Sequence, residues 1–150
     1  MSIESEQDPA GMKAAGVVVR DTLAAMRAAV APGVTTAELD AVAKRVFDAA
    51  GARSAPQLVY QFPGVTCISV NDEIVHGIPS PARRLAEGDL VKLDVTAELH
   101  GFMADACVTV GVGRISENAK RLLACAEQAF RKGLRAVRHG GRVVDVGQAV

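Results

Sequence analysis

From Met12 onward, Met12, Ala15, Val19, Leu23, Met26 and Val30 recur at steps of three and four, the helical period, behind the N-cap and first-turn pair Asp8-Pro9. The spacing predicts a first helix over 9–30, stopped by Pro32-Gly33. Thr35-Thr36-Ala37-Glu38 then reads as a capping box for a second helix, with Leu39, Val42, Val46 and Ala50 as its buried stripe and Gly51 as its stop. After a loop over 52–63 the pattern becomes short and β-branched at 65–70, and Asn71-Asp72 marks a turn before Ile74-Val75. Pro79, Pro81 and Arg83-Arg84 form a further loop. Gly88-Asp89 leads into two strands, 90–99 and 102–112, joined as a β-hairpin by His100-Gly101. Ser116 caps a third long helix, with Leu122, Ala126, Phe130, Leu134 and Val137 on one face, that runs to Gly140-Gly141. Asp145 reads as the N-cap of a last helix cut short at Val150, and helices need several turns to be stable. The expectation is one incomplete domain over 1–150, with an acidic N-terminal extension at 1–10.

The hairpin carries the candidate chemistry. With His100-Gly101 as a two-residue turn, Leu99 faces Phe102, Thr96 faces Asp105 and Asp94 faces Cys107. Side chains alternate with period two, so Leu93, Val95, Ala97, Leu99, Phe102, Ala104, Ala106, Val108 and Val110 form one apolar face. Asp94, Thr96, Glu98, Met103, Asp105, Cys107 and Thr109 form the other, with Asp94 and Asp105 as diagonal neighbours at roughly 7–8 Å. Converging half-buried carboxylates persist only when a cation sits between them or one takes up a proton. Spacing alone also fits two acids on the wet side of a sheet. Small Thr and Cys neighbours leave room above the acids, and no Lys or Arg is expected on this face to neutralise them, which tilts the reading toward a divalent metal.

Charge removes other classes of function. Seventeen Lys plus Arg balance 17 Asp plus Glu, and aromatics are 3% of residues, with no Trp and only Tyr60 among tyrosines. Neither a positive field nor a base-stacking surface for nucleic acid follows. The three cysteines, Cys67, Cys107 and Cys125, form no C-x-x-C pair, which fits a reducing compartment. Glu4, Glu6 and Asp8 stand where a signal peptide carries basic residues, and no run of about 18 apolar residues exists, so a cytoplasmic location is expected. Cys107 and Cys125 read as small buried residues, His100 as a turn residue and His139 as a cap near a helix C-terminus.

A lone histidine is more often structural than catalytic. In order, however, Val70-Asn71, His76-Gly77-Ile78-Pro79, Lys92-Leu93-Asp94-Val95 and Gly101-Phe102-Met103-Ala104-Asp105 closely resemble the signature of the bacterial-type methionine aminopeptidases. The likeness extends to Met12-Lys13-Ala14-Ala15-Gly16, Pro32-Gly33-Val34-Thr35-Thr36 and Gly140-Gly141, nearly the whole chain. A prolidase-like dipeptidase is a nearby competitor that the compact His76-to-Pro79 run disfavours.

The resemblance implies an α/β pita-bread fold, in which a curved antiparallel sheet backed by helices surrounds two divalent metal ions, drawn from cobalt, manganese, iron, zinc or nickel. It implies that Asp94 and Asp105 are metal ligands, with Asp105 bridging, and that the catalytic His76 contacts the scissile amide. Phe62 and Cys67 fall where the family builds its pocket for the methionine side chain, which suits a polarizable thioether. The implied activity is hydrolytic removal of the initiator methionine. Its substrates are methionyl peptides and nascent proteins near the ribosome; its partners include no nucleic acid or membrane, and the complete enzyme is monomeric. The family's remaining ligands, a histidine and two glutamates, lie later in its fold than this chain reaches. The alternative is a non-catalytic pita-bread domain that binds a peptide or protein partner.

Overall fold

Thr35 and Glu38 cap each other reciprocally. Glu38 N–H donates to Thr35 Oγ1 at 3.2 Å, and Thr35 N–H donates to Glu38 Oε2 at 2.7 Å. The computed structural model, which describes residues 3–5 and 7–150, places this box at the junction of helices α1 (Asp8–Ala29) and α2 (Thr36–Ala50). Gly51, with φ 65°, ends α2 in the left-handed conformation that glycine adopts at low cost. The acidic extension expected at 1–10 falls partly on Met1, Ser2 and Glu6, outside the described residues; α1 already begins at Asp8.

The stretch 52–63 is not a plain loop. It holds strand β1 (Arg53–Ser54) and helix α3 (Ala55–Tyr60), started by Ser54 accepting from Gln57 N–H, with proline in the first turn. Strand β2 (Cys67–Val70) follows, then β3 (Leu90–Leu99) and β4 (Phe102–Gly111). Ile74 and Val75 belong to no strand and are 82% and 59% exposed. With charged and polar neighbours and most of their surface open, two β-branched residues do not make a strand.

The sheet is antiparallel throughout. β3 pairs with β4 along one side and with β1 and β2 along the other. The hairpin register is the expected one, from Leu99↔Phe102 to Asp94↔Cys107. Both turn residues have positive φ, 52° at His100 and 89° at Gly101, as a two-residue hairpin turn requires. Val91, Leu93, Val95, Ala97 and Leu99 face Ala15, Val19 and Met26 of α1 and Leu39 and Phe47 of α2, forming one core. On the outer edge of β2, Ile68 N–H donates to Gly77 O at 2.8 Å and Val70 N–H donates to Glu73 Oε2 at 2.7 Å.

Glu98 closes the far end of β3. Its carboxylate is buried, at 5% exposure, and accepts from Arg53 Nε and from Gly101 N–H, both at 2.6 Å. Arg53, then the Gly101 amide, holds the Glu98 carboxyl below its usual range. A depressed carboxyl stabilises the fold above its unfolded value, about 4.3, and loses that contribution as pH falls through the folded value. Glu98→Gln is therefore expected to cost about 1–3 kcal/mol at pH 7. The gap from wild type should narrow as urea midpoints are measured toward pH 3.

The chain divides into two compact units, the second beginning at Ile115. There, Ser116 caps α4 (Glu117–Ala136) by accepting from Ala119 N–H at 3.1 Å. The helix stops at Ala136, short of Gly140-Gly141, because Val137 turns extended. Its expected buried stripe is open: Leu122, Phe130, Leu134 and Val137 are each more than half exposed. Cys125 is exposed as well, not buried, and the C-cap of α4 is Val137, with His139 just beyond it. In α5 (Val143–Ala149) the N-cap is Arg142; Asp145 sits inside the first turn and accepts from Arg142 N–H. Among the described residues no helix is long and apolar enough to cross a membrane.

Candidate metal centre

The face of the sheet turned away from the helices is read rung by rung. Cys67, Asp94 and Cys107 form one rung across β2, β3 and β4; Ser69, Lys92 and Thr109 form the next; Thr96 pairs with Asp105 on the other side. Period-two alternation puts all eight side chains on one face. Thr96 Oγ1 donates to Asp105 Oδ1 at 2.9 Å, which orients that carboxylate.

The acids converge as their diagonal placement requires. Burial, and then the Asp105 charge, push the Asp94 carboxyl above its ordinary value; His76 pulls it the other way, and a hydrogen shared with Asp105 favours the protonated form. The two flanking thiols feel the same surroundings. Desolvation first, by burial at Cys67 and by the surrounding sheet face at Cys107, then the charges of Asp94 and Asp105, push both thiols up to about 11. Both are protonated thiols at neutral pH, so neither competes as an anion with the carboxylates. Cys107, expected to be a buried strand residue, is exposed on this face: β4 has no outer neighbour to cover it among the described residues.

Lys92 extends the acid-bearing face one rung beyond the residues counted from the hairpin, so this face does carry a cation. Its ammonium does not reach for Asp94; it donates to Asn71 O at 2.6 Å. The acid pair keeps no ion-pair partner among the described residues. Two carboxylates without a counter-ion are the donor chemistry that hard and borderline divalent cations take, and the residues fit as part of a metal site. They do not make a whole one. Among the described residues no group of three or more His, Cys, Asp or Glu is arranged to hold a metal ion.

His76 stands on the connection that leaves β2, in a left-handed conformation with φ 57°, its side chain exposed and near enough to Asp94 to act on that carboxyl. Gly77 follows where any side chain would collide with the β2 main chain at Ile68 and Ser69. Of the residues singled out in the sequence, Asp94, Asp105, His76 and Cys67 come together. Phe62 is half-buried on the link from α3 to β2, where its N–H donates to Pro56 O. Asp40, Ser69 and Lys92 were not singled out. Asp40 accepts from Val65 N–H, Thr66 N–H and the Thr66 hydroxyl, fixing the approach to Cys67. Strand parity alone points to Ser69 and Lys92; no sequence signal points to Asp40, which is 25 residues from its partner.

The family model for metallopeptidase family M24 matches residues 10–150, across both units. The chain belongs to metallopeptidase family M24. Methionine aminopeptidase 2 of Bacillus subtilis is 43% identical over 150 residues, covering 100% of this chain and 60% of its own. Methionine aminopeptidase 1 of Mycobacterium tuberculosis is 41% identical over 93% of this chain and 52% of its own length. The crystal structure of methionine aminopeptidase from Thermotoga maritima superposes with a TM-score of 0.88 at 30% identity, covering 92% of this chain and 55% of that one. This M24 chain thus spans between half and two thirds of the length of these methionine aminopeptidases. Its helices and antiparallel sheet are the mixed α/β arrangement of the pita-bread M24 enzymes.

Proposed function

We propose that this M24 chain contributes the Asp94–Asp105 half of a two-metal centre that removes the N-terminal methionine from peptides and nascent proteins by hydrolysing the first peptide bond. One observation carries the reading: two carboxylates converge on one sheet face, without an ion-pair partner among the described residues, beside an exposed histidine. The methionine aminopeptidase relatives supply the substrate class.

Asp94 and Asp105 would hold the ions, and the Thr96 hydroxyl fixes the Asp105 carboxylate. Bound divalent ions supply acidification of water and positive charge for a developing oxyanion. His76 donates a hydrogen bond to the scissile amide. Cys67 and Phe62 flank the methionine side chain, the protonated thiol acting as a small apolar wall. A free amino terminus completes recognition and restricts cleavage to chain ends. Cobalt, manganese, iron, zinc and nickel all suit such donors. The setting is the cytoplasm, beside the ribosome, with the complete enzyme acting as a monomer.

A second reading, a non-catalytic domain that holds a peptide or protein partner, is favoured by the lack of a third donor among the described residues. One comparison separates the two. The 150-residue chain, and a chimera completing it with the C-terminal portion of the Bacillus subtilis relative, are given a methionyl peptide with manganese or cobalt, and free methionine is measured. The chain alone is expected near background and the chimera well above it. An acetylated peptide should be spared. A folded chimera that releases no methionine would leave the binding reading standing.

A further inference from the structure

The segment that carries His76 runs from Asn71 to Gly77 without regular structure, and Ile74 and Val75 within it are largely exposed. Something else must hold the histidine over Asp94. Asn71, itself left-handed at φ 56°, is tied through every polar group it owns. Its N–H donates to Leu90 O at 2.8 Å, its Oδ1 accepts from Leu90 N–H at 2.9 Å, and its Nδ2 donates to Asp89 Oδ1 at 2.8 Å. Its carbonyl takes the Lys92 ammonium at 2.6 Å. At the other end, Gly77 N–H donates to Ser69 Oγ at 2.9 Å. Ser69 and Lys92 are partners in the β2–β3 register, and the adjoining rung on that face is Cys67 with Asp94.

We propose that the Ser69–Lys92 rung is the mounting of the His76 loop. Both are positioning residues: Lys92 holds the start of the loop and Ser69 its end, one rung from the acid pair. This explains why a lysine beside two uncompensated carboxylates points away from them. A hydrogen bond from a charged donor is worth more than a neutral one, and here it fixes the carbonyl of a residue in a sparsely populated conformation. Ser69, 2% exposed, offers its oxygen in a site closed to competing water. The consequence for catalysis rests on the role proposed for His76; the mounting itself does not, and it is measured without turnover.

The test uses amide hydrogen exchange and the imidazole resonances of His76 in the 150-residue chain, in Lys92→Ala, Lys92→Met and Ser69→Ala. Each clamp is read at the opposite end. In either lysine variant, exchange at Gly77 should rise about tenfold or more. In Ser69→Ala the same rise should occur at Asn71. Amides of 91–99 should keep their wild-type rates in all three. The His76 ring shifts should respond to Asp94→Asn in the wild-type background and no longer do so once Lys92 is lost. Propylammonium, which replaces the atoms missing from Lys92→Ala, should restore both Gly77 protection and the ring response. Wild-type exchange at the far clamp, equal acceleration throughout β3, or no recovery with propylammonium would each overturn the proposal. A chimera that keeps the mounting yet releases no methionine would count against the proposed activity and leave the mounting standing.

Discussion

Asp105→Asn in the completed chimera is expected to lower kcat/KM for a methionyl peptide by about 10³-fold or more, the several kcal/mol that metal-borne charge contributes to a hydrolytic transition state. Asparagine keeps the shape and an oxygen that still accepts from the Thr96 hydroxyl. Asp105 is exposed, so the fold loses no packing. Stability should therefore stay within about 0.5 kcal/mol of wild type, or improve slightly as repulsion with Asp94 is relieved. Steady-state assays across added manganese, paired with a urea titration, read both quantities. Activity within tenfold of the parent chimera would remove Asp105 from the reaction and with it the proposed metal centre.

Gly77→Ala should do the greatest damage per atom added. A β-carbon there would lie inside the van der Waals shell of Ile68 O and within 2.8 Å of Ser69 Cα. These are main-chain atoms of a strand buried on both faces, so no side-chain rotation relieves the clash. Overpacking of this kind costs about 1–3 kcal/mol, and the loop has to lift to accommodate it. Two measurements show it: a lower urea midpoint for the 150-residue chain, and loss of protection at the Ile68 amide, whose acceptor is Gly77 O. An unchanged midpoint with Ile68 still protected would mean that the loop does not press on β2.

The elements with strong local signals were legible. Thr35 and Glu38 announce α2, and Ser116 announces α4. His100-Gly101 fixes a hairpin register in which every later pairing follows by parity, so the convergence of Asp94 with Asp105 could be derived before any coordinates. What escaped depends on tertiary partners. The brief α3 has too few residues for periodicity to register, although Ser54 and Pro56 mark its start. Ile74 and Val75 look like strand by composition and find no neighbour with which to pair. The α4 stripe reads as core from its spacing, yet spacing says only that one side is apolar, not that anything covers it. Within the site the same holds: Cys107 is open because no strand pairs with the outer edge of β4 among the described residues, and although strand parity places Lys92 on the acid face, its partner, a main-chain carbonyl 21 residues away, is not legible from the sequence.

The outer edge of β2 has a consequence for how a polypeptide can approach. Its two outward amides, at Ile68 and Val70, are already occupied by Gly77 O and the Glu73 carboxylate. An incoming chain finds no vacant row there along which to lie as an extra strand, the usual way an extended peptide gains affinity from a sheet margin. A peptide docking on that flank has to be held by its side chains or its terminus, without a row of main-chain hydrogen bonds from β2.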